Sequence, residues 1–458
     1  MTKNRLFRLG AAVAAVGVVL SMSACAPPGP SGDTAAPSPT NEASKDISSA
    51  GPVTLTVWDQ NTDGGISKAQ DQLNAQFHEK YPNVTIKRTV ESFSDLKTTL
   101  KLALSSNNPP DVVQANQGYP DMGAFVAAGM LRPMNDYAKL YGWDGYYPQA
   151  LLKQNSFSHD GKTWQGDTLF GVSQTGEVVG IYYNRQLLSS LGGLQTPKTL
   201  SDLNSAMAAA KAKGILPMAF GNLDKSPGIH MFGVVQAALA GAPAVNELVS
   251  GQGGAWTDEP SLKAAQQIAD WSKQGGYLTP PGTNGVSRDD AVAAFGKGGA
   301  LFTLTGTWLQ QTMQDDLGGN VGFTTLTSTD GSPATTGGQG LAWAITSKSA
   351  HPPDVAAAYV DFITNAKRPD SPGHRQPAHR AAGGLPATAG HRRGRHRDPV
   401  PRRPEGQRRS AVPGLLHPHL LRHHHRGGMQ ELVGGQSDPQ QFVDALQKDY
   451  AGFLAGKK

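Results

Sequence analysis

The chain lacks the sequence signatures that mark common enzyme classes. No G-x-S-x-G, H-E-x-x-H, C-x-x-C or phosphate-binding G-x-x-x-x-G-K-[ST] motif is present. Ser94-Asp-Leu-Lys97 fits S-x-x-K, but the motifs that accompany it in penicillin-binding enzymes are missing, so Lys97 is expected on a solvated helix face. The single cysteine, Cys25, excludes an intramolecular disulfide. We therefore expect no catalytic residues, no cofactor and no metal site.

Long apolar runs are also scarce, and the one that we consider as a membrane-directed segment is Leu9–Leu20. It follows three positive residues, Lys3, Arg5 and Arg8. This order is typical of an export signal, because the apolar run is too short to span a bilayer comfortably. We expect residues 1–24 to be a signal peptide and the protein to be exported.

Cys25 ends the stretch Ser21-Met-Ser-Ala-Cys25, which resembles a bacterial lipobox although Met22 stands where leucine is usual. Lipidation of Cys25 would anchor the protein to the outer face of the cytoplasmic membrane by burying acyl chains. The alternative is an ordinary cleavage site with a spare cysteine. Residues 25–52 are rich in Ala, Pro, Ser, Gly and Thr, which predicts a flexible tether.

Residues 368–427 lack Lys, Phe, Trp, Tyr, Ile and Asn, yet contain thirteen Arg, nine His and nine Pro. Without aromatic residues or Ile the segment can bury little apolar surface, which predicts disorder. We interpret it as frameshifted, since out-of-frame GC-rich DNA gives this composition. A genuine basic, His-rich insert that binds phosphate or metal is the alternative. The segment carries a charge of +10 and the whole chain +5, so the high pI is no evidence for a nucleic-acid partner.

Strand and helix patterns alternate from Val53 onwards. This alternation predicts an α/β fold with a mostly parallel sheet covered by helices on both faces. The pattern continues for roughly 300 residues, which is more than one core comfortably holds, so two lobes are expected. The predicted strands are 53–58, 84–90 and 111–115, and the predicted helices include 66–81, 95–104, 355–363 and 440–453.

The loop after the first predicted strand, Asp59-Gln-Asn-Thr-Asp-Gly-Gly-Ile66, carries several residues of a calcium-binding loop. Position twelve is Gln70, which cannot supply the bidentate carboxylate, and a strand precedes the loop instead of a helix. We interpret the stretch as a strand-to-helix loop at the carboxyl edge of the sheet. Open α/β sheets bind their ligands at such edges.

Four stretches together resemble family 1 extracellular solute-binding proteins, the maltose-binding type of sugar receptor for ABC importers. Their order and spacing are more specific than any one of them alone. They are Asn108-Pro-Pro-Asp-Val112 with Ala128-Gly-Met-Leu-Arg-Pro133, the Y-Y-N segment from Gly171 to Leu188, the segment from Ala294 to Trp308, and Gly337-Gly-Gln-Gly-Leu-Ala-Trp-Ala-Ile345. The resemblance covers about 53–367, departs at 368–427 and resumes near 429–455.

The resemblance implies a two-lobed, periplasmic-binding-protein-like fold of type II with a hinge and an interlobe cleft. The lobe boundaries that we expect are 53–165 with 337–367 for the first lobe and 166–336 with 428–458 for the second. The resemblance also implies a receptor that binds a sugar or oligosaccharide and docks on ABC permease subunits. A receptor for another small solute and an exported hydrolase are the alternatives.

A sugar receptor needs aromatic platforms and many amide or carboxylate groups, because a sugar presents apolar C–H faces and a rim of hydroxyls. Polar residues and tryptophans lie at predicted strand ends and beside loops, and the family stacks its sugar at the position of Trp308. Trp271 and Trp343 are expected in the core. The predicted ligand-binding residues are Asp59, Gln60, Asn61, Asn116, Gln117, Gln174, Glu177, Trp256, Trp308 and Gln339.

Overall fold

The computed structural model describes residues 43–62, 64–279, 282–365 and 424–456. The predicted signal peptide, Cys25 and most of the segment 368–427 lie outside these residues. The strands are β1 (Val53–Asp59), β2 (Val84–Val90), β3 (Val112–Ala115), β4 (Ser156–Phe157), β5 (Thr168–Leu169), β6 (Val172–Ser173), β7 (Val179–Asn184), β8 (Leu216–Ala219), β9 (Ala300–Gly306), β10 (Val321–Thr324), β11 (Leu326–Thr327), β12 (Pro333–Ala334) and β13 (Ala342–Ile345).

The α-helices alternate with these strands, as the sequence predicts. They are α1 (Gly64–Lys80), α2 (Phe93–Leu104), α3 (Ala124–Ala127), α4 (Asn135–Tyr141), α5 (Gln149–Gln154), α6 (Arg185–Ser190), α7 (Leu200–Ala212), α8 (Ser226–Ala240), α9 (Ala242–Ser250), α10 (Glu259–Ala269), α11 (Arg288–Gly296), α12 (Gln310–Leu317), α13 (Pro353–Thr364), α14 (His424–Gly434) and α15 (Pro439–Gly456).

The strands form two main sheets, which define the two lobes. The first sheet has the order β2-β1-β3-β13-β6, with β1, β2 and β3 parallel and β13 antiparallel to both of its neighbours. The second has the order β10-β7-β9-β8, where β8 and β9 are parallel and the other two pairings are antiparallel. The prediction of a mostly parallel sheet is right for β1 to β3 and wrong for the second sheet. In the second sheet β7 runs antiparallel to both of its neighbours, and Val179 at its start lies opposite Gly306 at the end of β9.

The strand β6, which spans Val172–Ser173, pairs with β13 in the first sheet. The sequence places the change of lobe at residue 166, but β6 puts it after Ser173. Two short segments therefore connect the lobes, residues 174–178 before β7 and residues 335–341 before β13.

Helices cover both faces of the first sheet. On one face α1 and α13 pack together, where the Phe77 ring lies edge-on to Tyr359 at 5.3 Å and to Phe362 at 5.1 Å. On the other face α2 buries Leu96 and Leu100 against the strands. The α2 helix begins at Ser92, whose hydroxyl accepts the backbone N–H of Asp95. This cap satisfies one of the free N–H groups of the first turn.

The second lobe depends on the end of the chain. The α14 and α15 helices pack against α8 and α10 and bury Met429, Phe442 and Leu446 completely or almost so. Phe442 meets Phe232 of α8 edge-on at 5.2 Å. The predicted helix at 440–453 is confirmed, and α14 begins at His424, inside the segment that the sequence marks as anomalous.

Candidate functional site

The two connecting segments bring strand ends of both sheets to one place. Ala342 pairs with Ala115 in the first sheet and Val179 pairs with Gly306 in the second. The segments also pair with each other, since Val178 bridges to Gly337. The carboxyl ends of β3 and β9 therefore face one boundary, which we call the interlobe seam.

The lobes touch along this seam on the side of β1. The backbone N–H of Thr307, just after β9, donates to the carbonyl of Val178 at 3.0 Å and so holds the first connecting segment against the second lobe. A methyl group placed on Gly65, at the start of α1, would lie 3.3 Å from Cγ of Gln311 on α12. The first turn of α1 and the first turn of α12 thus meet across the seam. A surface cavity of about 650 Å³ lies elsewhere, beside Asn184 at the opposite edge of the second sheet.

Asp59, at the end of β1, is fully buried and already paired. Arg88 Nε donates to Asp59 Oδ2 at 2.6 Å and Arg88 Nη2 donates to Oδ1 at 2.7 Å. Burial lowers the pKa of Arg88, but the hydrogen bonds and charges of Asp59 and Asp71 raise it more. The carboxylate of Asp59 therefore makes its hydrogen bonds within the first lobe.

Across the described ranges of the chain, no three His, Cys, Asp or Glu residues are grouped so as to hold a metal ion.

Asn61 and Gln60 follow β1 on the first-lobe side of the seam. Asn61 is 7% exposed and its Oδ1 accepts from Gln114 Nε2 at 3.4 Å. The Nδ2 donor of Asn61 has no hydrogen-bond partner within the described residues. Gln60 is half-buried and its backbone N–H donates to Gln114 Oε1 at 3.0 Å. A buried donor without a partner is destabilising, so Asn61 Nδ2 is a site that a ligand acceptor would satisfy.

Gln117 and Gln339 belong to a buried amide network inside the first lobe. Gln117 Nε2 donates to the carbonyl of Gly340 at 2.7 Å, and Gln339 Nε2 donates to the carbonyl of Leu151 at 2.8 Å. The Ser173 hydroxyl also donates to the Gly340 carbonyl, at 2.7 Å. These bonds hold the second connecting segment against the first sheet. The Oε1 atoms of both glutamines are without a partner in the part of the chain that the structure describes.

Three predicted residues remain half-buried at the seam. Asn116 Nδ2 donates to Asp121 Oδ2 at 2.9 Å, and Gln174 Nε2 donates to the carbonyl of Ile363 at 3.2 Å. Glu177 Oε1 accepts from the Thr175 hydroxyl at 2.9 Å. Each of these side chains is oriented by an internal bond and keeps polar surface.

Trp308 lies in a short 3-10 turn, Thr307–Leu309, directly after β9. Its ring covers Gly306 so closely that a Cβ at that position would come within 1.9 Å of the ring. The imidazole of His230 lies 5.7 Å from the indole, with the two planes at 51°. The indole is half-buried, so one part of it packs on both neighbouring core clusters and another part stays accessible. A fixed, partly accessible indole is a suitable platform for an apolar face of a ligand.

Trp256 has a different environment, although the sequence places it with the ligand-binding residues. Its side chain is completely buried, with Phe232 at 6.3 Å between ring centroids. Its backbone N–H donates to Gln447 Oε1 of α15 at 2.7 Å. The ring therefore fills the core of the second lobe, as Trp271 and Trp343 fill theirs.

Sequence reasoning missed His230, which lies beside Trp308. His230 is the partly exposed residue within Pro227–Ala238, a stretch of α8 whose other residues are buried. A histidine inside an otherwise apolar helical run was an available signal. Lys97 is 18% exposed and lies 3.5 Å from Asp121, so the expectation of a solvated helix face is wrong. The S-x-x-K match raised the question of a catalytic lysine, whereas the structure shows a partly buried ion pair between Lys97 and Asp121.

Comparison with known proteins gives the chain a family. A model of the bacterial extracellular solute-binding protein family matches residues 61–367. An uncharacterised ABC transporter extracellular-binding protein of Pyrococcus horikoshii is 27% identical over 263 residues, covering 56% of this chain and 55% of its own. The multiple sugar-binding protein of Streptococcus mutans is 26% identical over 301 residues, covering 64% of this chain and 66% of its own. The chain thus spans about half to two thirds of these relatives.

Solved structures support the fold independently. A chitin oligosaccharide binding protein superposes with a TM-score of 0.68 at 19% identity, over 88% of this chain and 100% of that one. A Mycobacterium tuberculosis protein in complex with glycerophosphocholine gives a TM-score of 0.66 at 17% identity, over 88% and 99%. The two-lobed α/β architecture implied by the sequence is confirmed, and the chain belongs to the bacterial extracellular solute-binding protein family.

Proposed function

We propose that the chain is a receptor that binds a sugar or oligosaccharide at the interlobe seam and delivers it to an ABC importer. The proposal is supported by a half-buried indole, Trp308, on the second-lobe side of the seam, and by amide and carboxylate side chains on the first-lobe side and in the first connecting segment. A sugar matches this arrangement because its C–H faces stack on aromatic rings while its hydroxyls both donate and accept. Asn61 Nδ2 offers one donor to such a hydroxyl.

Relatives agree with this ligand class by name, since one is a multiple sugar-binding protein and one fold neighbour binds chitin oligosaccharide. A receptor for a non-sugar solute is the second candidate, because another fold neighbour holds glycerophosphocholine. The two ligand classes differ in charge. A choline headgroup calls for an aromatic cage and carboxylates, whereas a neutral sugar calls for amides. The preponderance of amides at the seam, Gln60, Asn61, Asn116 and Gln174, favours the sugar.

Binding would close the lobes by hinge motion at the two connecting segments. A ligand that touches both lobes only in the closed arrangement binds that arrangement more tightly, and this differential affinity shifts the population. Gly337, with φ of +95°, lies in the second segment, and glycine tolerates backbone conformations that other residues rarely adopt. The closed, loaded receptor would then dock on the permease subunits.

A thermal-shift screen of the purified full chain tests the proposal. The panel contains neutral mono- and oligosaccharides, glycerophosphocholine and amino acids. We expect a neutral saccharide to raise the unfolding temperature in proportion to the logarithm of its concentration. A shift with glycerophosphocholine alone would favour the second candidate. Recovery of a cleaved saccharide after incubation would instead support an exported hydrolase.

We also propose that Cys25 carries a lipid that holds the receptor at the outer face of the cytoplasmic membrane. The lipobox-like stretch that ends at Cys25 and the tether after it support this anchor. Cys25→Ser should release the protein into the medium or block its processing, while the matched variant Ser23→Thr should stay in the membrane fraction. Retention of Cys25→Ser at the wild-type level would contradict lipidation. Among the helices of the described residues, none is long and apolar enough to cross a bilayer.

A further inference from the structure

A second set of contacts joins the lobes around Tyr119, which follows β3. Its hydroxyl donates to the carbonyl of Ser250, the last residue of α9 in the second lobe, at 3.2 Å. The same oxygen accepts the backbone N–H of Trp164 in the first lobe at 3.0 Å. The Tyr119 ring also lies edge-on to Phe453 of α15, with centroids 4.7 Å apart. One tyrosine thus contacts two helices of the opposite lobe.

The end of α9 explains why this hydroxyl is useful. The helix stops at Ser250, and Gly251 follows with φ of +69°. The last carbonyls of a helix have no donor within the helix, so Ser250 needs one from outside. Tyr119 supplies it from the other lobe. Burial raises the pKa of Tyr119, so its hydroxyl stays neutral and able to donate at ordinary pH.

Gln165 makes the neighbouring contact from a strained backbone. Its Nε2 donates to Oδ1 of Asn246 on α9 at 3.1 Å. Its φ is +63°, a value that only Gln165 and Lys225 have among the non-glycine residues that the structure describes. A left-handed conformation at a side-chain residue is unfavourable and persists where the surroundings impose it. Here it coincides with a hydrogen bond between the lobes.

We propose that Tyr119 and Gln165 form a latch with α9 and α15 that favours the closed arrangement of the lobes before any ligand binds. The two residues lie on the first lobe, and each gives one hydrogen bond to α9 of the second lobe. A lobe rotation that separates α9 from Tyr119 and Gln165 breaks both bonds. The latch sets how often the seam opens to admit a solute. It operates whatever the solute is, so its test needs no ligand.

Electron paramagnetic resonance distances across the mouth of the seam test the latch. Spin labels are placed at Lys68→Cys on α1 and Gln314→Cys on α12, both exposed, in the full chain carrying Cys25→Ser. The ligand-free protein should show a dominant short-distance population. Tyr119→Phe and Gln165→Gly should each raise the open-to-closed ratio about two- to tenfold, the range for one lost hydrogen bond.

Two controls separate a latch from a structural role. Tyr81→Phe, a matched change on the outer side of the first lobe, should leave the distances unchanged. Gln165→Gly also relieves the left-handed strain, so the unfolding temperature should hold or rise even as opening increases. The absence of a short-distance population in the ligand-free protein would overturn the latch. A change below twofold in both latch variants would overturn it as well.

Discussion

The two sides of the interlobe seam hold their side chains in different ways. On the first-lobe side, Asp59 is fixed by Arg88 and Gln117 is fixed by the Gly340 carbonyl. On the second-lobe side, Trp308 is held by packing over Gly306 and beside His230. The first-lobe side is a network of polar side chains that bond mainly to their own lobe. The second-lobe side presents an aromatic ring that is positioned by van der Waals packing.

This difference separates residues that build the site from residues that can contact a ligand. A polar side chain at a strand end is a ligand candidate only while some of its hydrogen-bonding capacity remains unused. Asp59 is fully buried and accepts three hydrogen bonds inside the first lobe, whereas Asn61 keeps a buried donor without a partner among the described residues. On the aromatic side the same distinction depends on exposure, which Trp308 retains and Trp256 does not.

The largest expected effect tests whether Asp59 is structural. Arg88→Met leaves the buried carboxylate without its counter-charge, so the free energy of unfolding should fall by about 3–5 kcal/mol. Urea denaturation followed by circular dichroism measures it. Asp71, the other partner of Arg88, is 66% exposed, and Asp71→Asn should cost less than about 1 kcal/mol. If both variants lower the free energy of unfolding by the same amount, Arg88 is not needed to neutralise a buried Asp59. Asp59 would then be a candidate ligand-binding residue again.

A pair of tryptophan variants tests the aromatic side. Trp308→Ala should weaken saccharide binding at least fivefold, about 1 kcal/mol, because stacking area is lost. The fold should be largely retained. Trp256→Ala should instead destabilise the second lobe by about 3–5 kcal/mol, as expected for a large buried side chain. Calorimetric titration and thermal unfolding distinguish the two outcomes, and unchanged affinity in Trp308→Ala would assign that ring to the core.

Gly306→Ala tests whether packing alone positions the indole. The added methyl would overlap the Trp308 ring, so the ring must turn. Affinity should fall in the same direction as in Trp308→Ala but by a smaller factor, about two- to fivefold. Gly319 has open space around it, and Gly319→Ala should bind like the wild type. Wild-type affinity in Gly306→Ala would show that the platform does not depend on this contact.

The smallest expected effect lies at the opposite edge of the first sheet, where β3 begins. Burial raises the pKa of Asp111, but hydrogen bonds from Ser349, Thr56 and His351 lower it more, so the net shift is downward. The carboxylate therefore contributes stability above its unfolded pKa of about 4 and loses it as the pH falls through the folded value. Acid unfolding should be less steep in Asp111→Asn. An identical pH profile would show that these bonds do not favour the charged form.

Local pattern was sufficient to predict most elements of the first lobe. Alternation at 53–58 and 84–90 gives β1 and β2 within one residue, and the helical spacing of Leu73 and Phe77 gives α1. Strand direction was harder to predict, because the reversal of β13 depends on the chain returning from the other lobe. No local pattern contains that information.

The candidate site was predictable in position but less so in the role of each residue. The predicted ligand-binding residues Asn61, Gln174 and Trp308 lie at the seam in the structure, and their role in binding stays a prediction. Strand ends could not tell that Arg88, on the neighbouring strand β2, would be the partner of Asp59. Nor could they separate Trp256 from Trp308, since both lie beside loops. That difference depends on long-range contacts, such as the hydrogen bond from the Trp256 backbone to Gln447 of α15.

Hydrogen–deuterium exchange of the full chain, with and without a saturating saccharide found by thermal shift, tests the central claim most directly. If the saccharide binds between the two sides of the seam, protection should concentrate in residues 59–62, 114–118, 174–178 and 306–311. The saccharide should be recovered intact. Protection confined to the cavity beside Asn184, or no protection at these four segments, would contradict the account.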